Sequence, residues 1–290
     1  MSRDILSTIS SQMPTFSKGQ KLIGHYILEN YDKAAFMTAA KLGQTVKISE
    51  STVVRFAAEL GFDGYPAMQR TLQEIIRNKL TSIQRIEVSD DRIGNHDILS
   101  MVMRSDMEKI RMTLEQVDRT AFDGAVSDIV SARRIYVLGV RSASAISTFL
   151  GFYFNLVFED VVLVNPATAS EIFEQILRIG PQDVLIGASF PRYSKRTVKA
   201  MQFARNRGAQ VVAITDSAAS PLASIAQRVL LAKSDMASFV DSLVAPLSLV
   251  NALIVAISRA KKQDLAQTLE ALEDIWAEFE VYEKVEDQEA

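Results

Sequence analysis

No cysteine occurs among the 290 residues. That absence excludes a disulfide scaffold, thiolate metal ligation and a cysteine nucleophile. Histidine is almost as scarce: His25 and His96 are the only two, too few for a poly-histidine metal centre. No metal and no cofactor is therefore expected. The opening residues, MSRDILSTISSQMPTF, hold no apolar run of signal-peptide type, so a cytoplasmic protein is expected. One stretch, SLVAPLSLVNALIVAIS (242–258), has no charge over 17 residues, but it contains Pro246 and Asn251. It is at the short limit for a membrane span, and a buried or subunit-interface helix is expected in its place. What is abundant is ordinary: 48% hydrophobic and 23% charged residues exclude wholesale disorder. The length suggests about two domains.

Charge divides the chain. Residues 1–80 carry a balance of +3 and the remainder −6. A mildly basic head on an acidic body points towards nucleic acid at the head. Residues 1–80 read as short helices broken at Pro14, Lys18-Gly19, Asn30 to Lys33, Lys47 to Ser49 and Gly61 to Pro66. Residues 81–96 are polar and aperiodic and are expected to be a linker. Residues 97–290 form the body, with a core of about 120–262. A helical period returns over 97–116. The runs RIYVLGV (134–140), VVLVN (161–165), DVLIGAS (183–189), QVVAIT (210–215) and RVLLAK (228–233) are β-branched and spaced by helix-length segments. They predict a five-stranded parallel sheet flanked by helices, α/β in class, behind an all-α head. Ligands of such sheets bind beyond the carboxyl ends of the strands. The acidic tail, 270–290, reads as a solvated helix and frayed end.

Within the head, Ala39, Ala40, Leu42 and Val46 would pack one short helix. Ser49 is a suitable N-cap for the next, and Val53, Phe56, Ala57 and Leu60 give it one buried stripe. Gly61 stands where a left-handed residue ends a helix. Two short helices about a tight turn describe a helix-turn-helix whose second member reads the major groove. Ser51, Thr52 and Arg55 then point outward, with Arg55 able to reach guanine or a phosphate. Pattern alone also fits an amphipathic helix with a solvated arginine. Residues 49–65, SESTVVRFAAELGFDGY, resemble the amino-terminal helix-turn-helix of the RpiR family of bacterial transcription regulators. The shared pattern is Ser49, Thr52-Val53, Arg55-Phe56, Leu60-Gly61-Phe62 and Gly64-Tyr65. Upstream, 22–42 resembles the family's preceding helices. The family usually has Gly where this chain has Lys47. An adjusted turn is expected there, the other reading being a left-handed Lys47 that faces a phosphate. The resemblance implies DNA contacts from Lys47, Ser49, Ser51, Thr52 and Arg55, and a palindromic operator bound by a dimer or tetramer.

In the body, the loop after the first strand is Gly139-Val-Arg-Ser-Ala-Ser144, running into a helix. A strand-end glycine followed by hydroxyls at a helix start suits an anion. Ser142 and Ser144 would equally serve as plain caps. Only one of the three glycines of a dinucleotide fingerprint is present. The loop after the third strand, Ser189 to Thr197, gathers three cations and several hydroxyls, and fits either an anion site or a solvated basic loop. Residues 120–262 resemble the SIS (sugar isomerase) domain, the usual partner of this head. Arg141, Ser142 and Ser144 match its first loop, and Ser189 and Ser194 its second; Pro191 and Arg192 depart from the usual Ser and Gly, and Arg196 stands near the usual Glu. The resemblance implies a phosphorylated sugar or related anion held by Arg141, Ser142, Ser144, Ser189, Arg192 and Ser194. Glu171 is the one loop carboxylate placed to act as an isomerisation base; it would equally bond a sugar hydroxyl without chemistry, or simply favour a helix start. No catalytic residue is assigned: isomerisation needs a general base, and 120–262 contains no histidine. The expectation is a transcription regulator and not an enzyme. The alternatives are a sugar-phosphate isomerase or lyase with a helical appendage, or a regulatory subunit that docks on a protein.

Overall fold

The computed structural model describes residues 5–77, 80–93, 97–165, 168, 170–235 and 239–282. The chain divides into two compact units, one of Met1–Ser105 with Asp235–Ser242, the other of Asp106–Ser234 with Leu243–Ala290.

The first unit is helical. Its helices are α1 (Ile5–Gln12), α2 (Lys18–Glu29), α3 (Tyr31–Ala34), α4 (Ala39–Val46), α5 (Glu50–Glu59), α6 (Gly64–Arg77), α7 (Ser82–Ile93) and the start of α8 (Ile98–Gln116). Ile9, Ile23, Leu42, Phe56 and Leu72 meet in one apolar core, each almost wholly removed from water. Burial of that kind of side chain is worth roughly 1.5–3 kcal/mol each, and it organises helices too short to stand alone.

Helix α7 corrects the reading of 81–96 as an aperiodic linker. Thr81 and Gln84 form a reciprocal cap, each side chain bonded to the other's backbone N–H at 3.2 and 3.0 Å. The buried side of α7 includes Arg85 and Ser89, whereas Ile83 and Ile86 are exposed. Among the described side chains of α7 the buried ones are polar and two isoleucines are exposed, the reverse of the pattern that hydrophobic periodicity detects. Residues 94–96 lie outside the described ones.

The second unit is a three-layer α/β structure. After α9 (Arg119–Val130), strands β1 (Arg134–Gly139), β2 (Val161–Val164), β3 (Asp183–Ala188), β4 (Gln210–Thr215) and β5 (Arg228–Leu231) form one parallel sheet in the order β2-β1-β3-β4-β5. Successive residues alternate between two cores. Val137, Ile186 and Ile214 pack against α9, α10 (Ser144–Val157) and α13 (Val244–Ala260). Leu138, Leu185 and Ala213 pack against α11 (Glu171–Gln175) and α12 (Lys195–Asn206). The sheet grows outward from β1 to β2, then returns to place β3 on the other side of β1. That reversal opens a crevice at the carboxyl ends of β1 and β3.

The uncharged segment forms α13, which a 96° bend separates from α14 (Lys262–Glu278). No single helix among the described residues is long and apolar enough to cross a membrane. Leu249, Leu253 and Ile257 belong to the sheet-face core. A buried helix was one of the two expected readings of this segment, and most of its apolar side chains are buried. Its exposed residues include Val244, Ser248, Ala252, Val255 and Arg259. With Ile110 and Leu114 of α8, several of them line a groove of about 550 Å³.

Candidate nucleic-acid and anion sites

Thr38 caps α4, its hydroxyl accepting the Lys41 N–H at 3.2 Å. Lys47 then stands at φ 57°, ψ 45°, the left-handed region. The expected adjusted turn is therefore corrected: the left-handed turn persists with a lysine in it. Ile48 N–H bonds Gly43 C=O at 2.9 Å and Lys47 N–H bonds Gln44 C=O at 3.3 Å. Those two bonds close only through a left-handed residue. Gly43 supplies the close approach, since a Cβ there would stand 2.8 Å from the Ile48 carbonyl oxygen. Holding Lys47 left-handed costs on the order of 1–2 kcal/mol. Helix α5 ends the same way at Gly61, φ 85°, with Phe62 N–H on Ala57 C=O at 3.1 Å.

The first turn of α5 collects the other head candidates. Ser49 takes the N-cap position, but its hydroxyl lies 3.0 Å from Ser51 Oγ and 2.9 Å from Thr52 Oγ1. Arg55 reaches back along the helix, Nε donating to Ser51 C=O at 3.3 Å and Nη2 to Thr52 Oγ1 at 3.4 Å. Ser49, Ser51 and Arg55 are exposed, as is Lys47, while Val53, Phe56 and Ala57 are buried on the opposite side. A guanidinium and three hydroxyls at an open helix start can donate to base edges and phosphates. Gly19 of α2 abuts Thr52, a Cβ there standing 3.6 Å from its methyl. Exposed Lys18 therefore enters the same neighbourhood, a placement that sequence spacing did not reveal.

In the body, register sets Gly139 opposite Ala188, so the two candidate loops leave adjacent strand ends. A Cβ at Gly139 would lie 2.4 Å from the Ala143 carbonyl oxygen, so this tight entry into a 3-10 turn (Arg141–Ala143) needs glycine. Ser144 Oγ donates to Arg141 C=O at 2.6 Å. Ser142 is exposed, and its hydroxyl, unlike its carbonyl, makes no hydrogen bond among the described residues. Across the crevice, buried Ser189 accepts the Ser194 N–H at 3.0 Å, and Ser194 caps α12 by accepting the Thr197 N–H at 3.3 Å. A hydroxyl that accepts still has its O–H to give. Ser142, Ser189 and Ser194 can therefore donate to an anion, whereas Ser144 must first release Arg141. Arg141 and Arg192 are exposed on their loops. Glu171 opens α11, beyond β2 at the sheet edge.

Two residues at the end of β4 were missed. Thr215 Oγ1 donates to Ser189 C=O at 2.9 Å, and Asp216 accepts from Tyr193 OH at 2.8 Å. Their signal was the polar pair Thr215-Asp216 directly after an apolar strand. Among the described residues, no cluster of three or more His, Asp or Glu side chains is placed to hold a metal ion.

Comparison with known proteins matches both parts. Residues 3–79 fit the helix-turn-helix domain of the rpiR family, and residues 128–256 fit the SIS domain. The transcriptional regulator HexR of Escherichia coli is 25% identical over 225 residues, covering 76% of this chain and 74% of HexR. A regulator of Clostridium perfringens is 23% identical over 219 residues, 75% of this chain and 77% of that protein. The sugar isomerase domain of an RpiR transcription factor from Sphaerobacter thermophilus superposes with a TM-score of 0.58 at 28% identity, covering 60% of this chain and 97% of that one. Vibrio vulnificus NanR, solved with ManNAc-6P, shares the fold at a TM-score of 0.59 and 22% identity, over 94% of this chain and 98% of NanR.

Proposed function

The chain belongs to the rpiR family of helix-turn-helix transcription regulators, with a SIS domain behind the head, and from that premise we propose how the work is divided. Helix α5 enters the major groove of operator DNA, with Lys47, Ser49, Ser51, Thr52 and Arg55 at the contact. The body binds a phosphorylated sugar or related anion between the loops after β1 and β3, through Arg141, Ser142, Ser144, Ser189, Arg192 and Ser194, with Glu171 on a sugar hydroxyl. The observation that carries this is the crevice itself: two hydroxyl-bearing loops leave adjacent strands and each runs into a helix start. NanR's ligand is a sugar phosphate, which favours the same class here. No turnover accompanies binding, and the protein works in the cytoplasm as a homodimer or homotetramer. The domains are a DNA-binding head of 1–80 and a sensing body of 97–290. Bound ligand must favour one arrangement of the protein over another, or it shifts nothing.

Gel shift with DNA upstream of the gene, repeated across a panel of sugar phosphates, tests the reading. A shift that one sugar phosphate releases or strengthens is expected. Turnover of a panel member without any DNA binding would instead establish the isomerase alternative.

A further inference from the structure

None of the 17 residues of α14 is buried. Helices are held in place chiefly by packing of an apolar side, and this one keeps part of its apolar side open. Leu272, Ile275 and Phe279 follow at i, i+3 and i+7 and form one line, with Ile275 exposed and Phe279 exposed to 70%. On the adjoining side Glu270, Asp274 and Glu278 follow at i, i+4 and i+8, all exposed and none in an ion pair among the described residues. Helix α14 packs on α10 and α13, the layer on one side of the sheet. In the opposite layer α12 has the complementary chemistry. From Val184 to Thr215 the chain carries six cations and no acid. Ala200, Met201 and Ala204 of α12 are buried. Arg196, Lys199, Phe203 and Arg207 therefore run along its outer side, at i, i+3, i+7 and i+11. Arg207 lies over the Phe203 ring, 5.1 Å from its centroid, and Phe173 of α11 meets the same ring edge-on at 5.7 Å. Leu177, four residues beyond Phe173, is 59% exposed. The surface of α11 and α12 thus has an apolar centre and a cationic edge.

We propose that α14 of one copy docks on the α11–α12 surface of a second copy. This rests on the proposed homo-oligomer and adds to it an interface apart from the α13 groove. The apolar line of α14 covers Phe173, Leu177 and Phe203, and the Asp274 and Glu278 carboxylates meet Lys199 and Arg207 at the edge. A nucleic acid would also satisfy those cations, but phosphates would leave the exposed leucine and phenylalanine at the centre of the patch uncovered. An acidic helix with an apolar line fits both parts of the surface. The chain's own α12 is not the acceptor, because it lies across the sheet from the layer on which α14 packs. At about 1.5 Å per residue α14 is about 26 Å long. Exchange about a two-fold axis makes the contact twice, each copy giving one α14 and receiving one. That doubling brings the buried area towards the roughly 1,200 Å² that a stable interface needs.

The absence of cysteine permits a direct test on the full chain. Ala271→Cys on α14 and Asn206→Cys on α12 alter exposed positions beside the two surfaces. The two variants are mixed, allowed to exchange subunits and treated with a short bis-maleimide. The mixture should yield a cross-linked pair of chains, and neither variant alone should. A pair formed by Ala271→Cys alone would set α14 against α14 and overturns the proposal, as does a mixture that exchanges subunits without cross-linking. Charge reversal gives a second arm. Lys199→Glu/Arg207→Glu and Asp274→Lys/Glu278→Lys should each raise the concentration for half-assembly in sedimentation by about tenfold or more, with circular dichroism unchanged. Mixing the two should restore assembly, because each reversed helix then meets a surface of opposite sign. A variant that merely loosens the fold is not rescued by mixing, so failure to restore overturns the proposal. Assembly left intact by Lys199→Glu/Arg207→Glu overturns it as well, and an accompanying loss of affinity for a non-operator duplex would assign those cations to nucleic acid. A wild-type chain that stays monomeric at every concentration overturns the homo-oligomer on which the proposal stands.

Discussion

Arg55 is held at the first turn of α5 by Ser51 and Thr52, which keeps a long side chain extended over that turn. Arg55→Ala should weaken specific operator binding by ~1–3 kcal/mol if it reads a base, and unchanged affinity at fixed salt would remove it from the interface. In the body the four serines are not equivalent. Ser194→Ala removes a helix cap as well as a proposed anion donor and should cost about 1 kcal/mol of stability. Ser142→Ala removes no intramolecular bond, so it should leave the melting temperature unchanged while weakening sugar-phosphate binding by ~1.5–3 kcal/mol in a calorimetric titration. Tyr65 illustrates a different residue-level effect. Its hydroxyl donates to Met37 C=O at 2.8 Å, and burial pushes its phenol from 10.0 up to about 12. The folded head thus holds this proton more tightly than the unfolded chain. The stability it contributes is full below pH 10.0 and lost as pH rises through about 12. Tyr65→Phe should flatten that part of an alkaline melt.

At the scale of the element, the α4–α5 turn was legible in outline and wrong in detail. The spacing of Ser49, Val53, Phe56 and Gly61 located both ends of α5. Where the resemblance implies glycine the chain has Lys47, and the turn is left-handed there all the same, defined by Gly43 and the two capping bonds. Lys47→Gly should therefore raise the melting temperature of the head by relieving roughly 1 kcal/mol of backbone strain. The same substitution should lower operator affinity and reduce its salt dependence by about one charge if Lys47 meets a phosphate. Higher stability with unaltered affinity would show that Lys47 faces solvent. Helix α7 was missed because its buried side chains, among those described, are polar. The one local signal it offered was the Thr81-Gln84 cap, whose loss in Thr81→Ala should cost about 1 kcal/mol in a chemical melt.

For the whole molecule, the proposed assembly depends on which side of α13 is spare. Leu253 is fully buried, so Leu253→Asp should abolish folding and says nothing of subunits. Val255, at 60% exposure, and Leu114, also at 60%, flank the open groove. An apolar groove of this kind favours a protein partner over open water. Val255→Asp and Leu114→Asp should each shift sedimentation towards the monomer with circular dichroism unchanged. If both keep the native mass, subunits meet elsewhere.

The sequence by itself determined the two-part plan, the helix ends at Ser49 and Gly61, and the five strands, because each of these is written in neighbouring residues. Apolar runs mark buried strands, and a glycine after an apolar stripe marks a helix end. The tertiary structure alone decided that Gly139 stands opposite Ala188, which brings the two candidate anion loops to one crevice. It also decided which serines there are already engaged, that the apolar length of α13 mostly faces its own sheet, and that Arg85 pairs with Asp241 across 156 positions of chain. Contacts at such separation leave no local period in the sequence, and a buried side made of arginine and serine looks, in one dimension, like a surface.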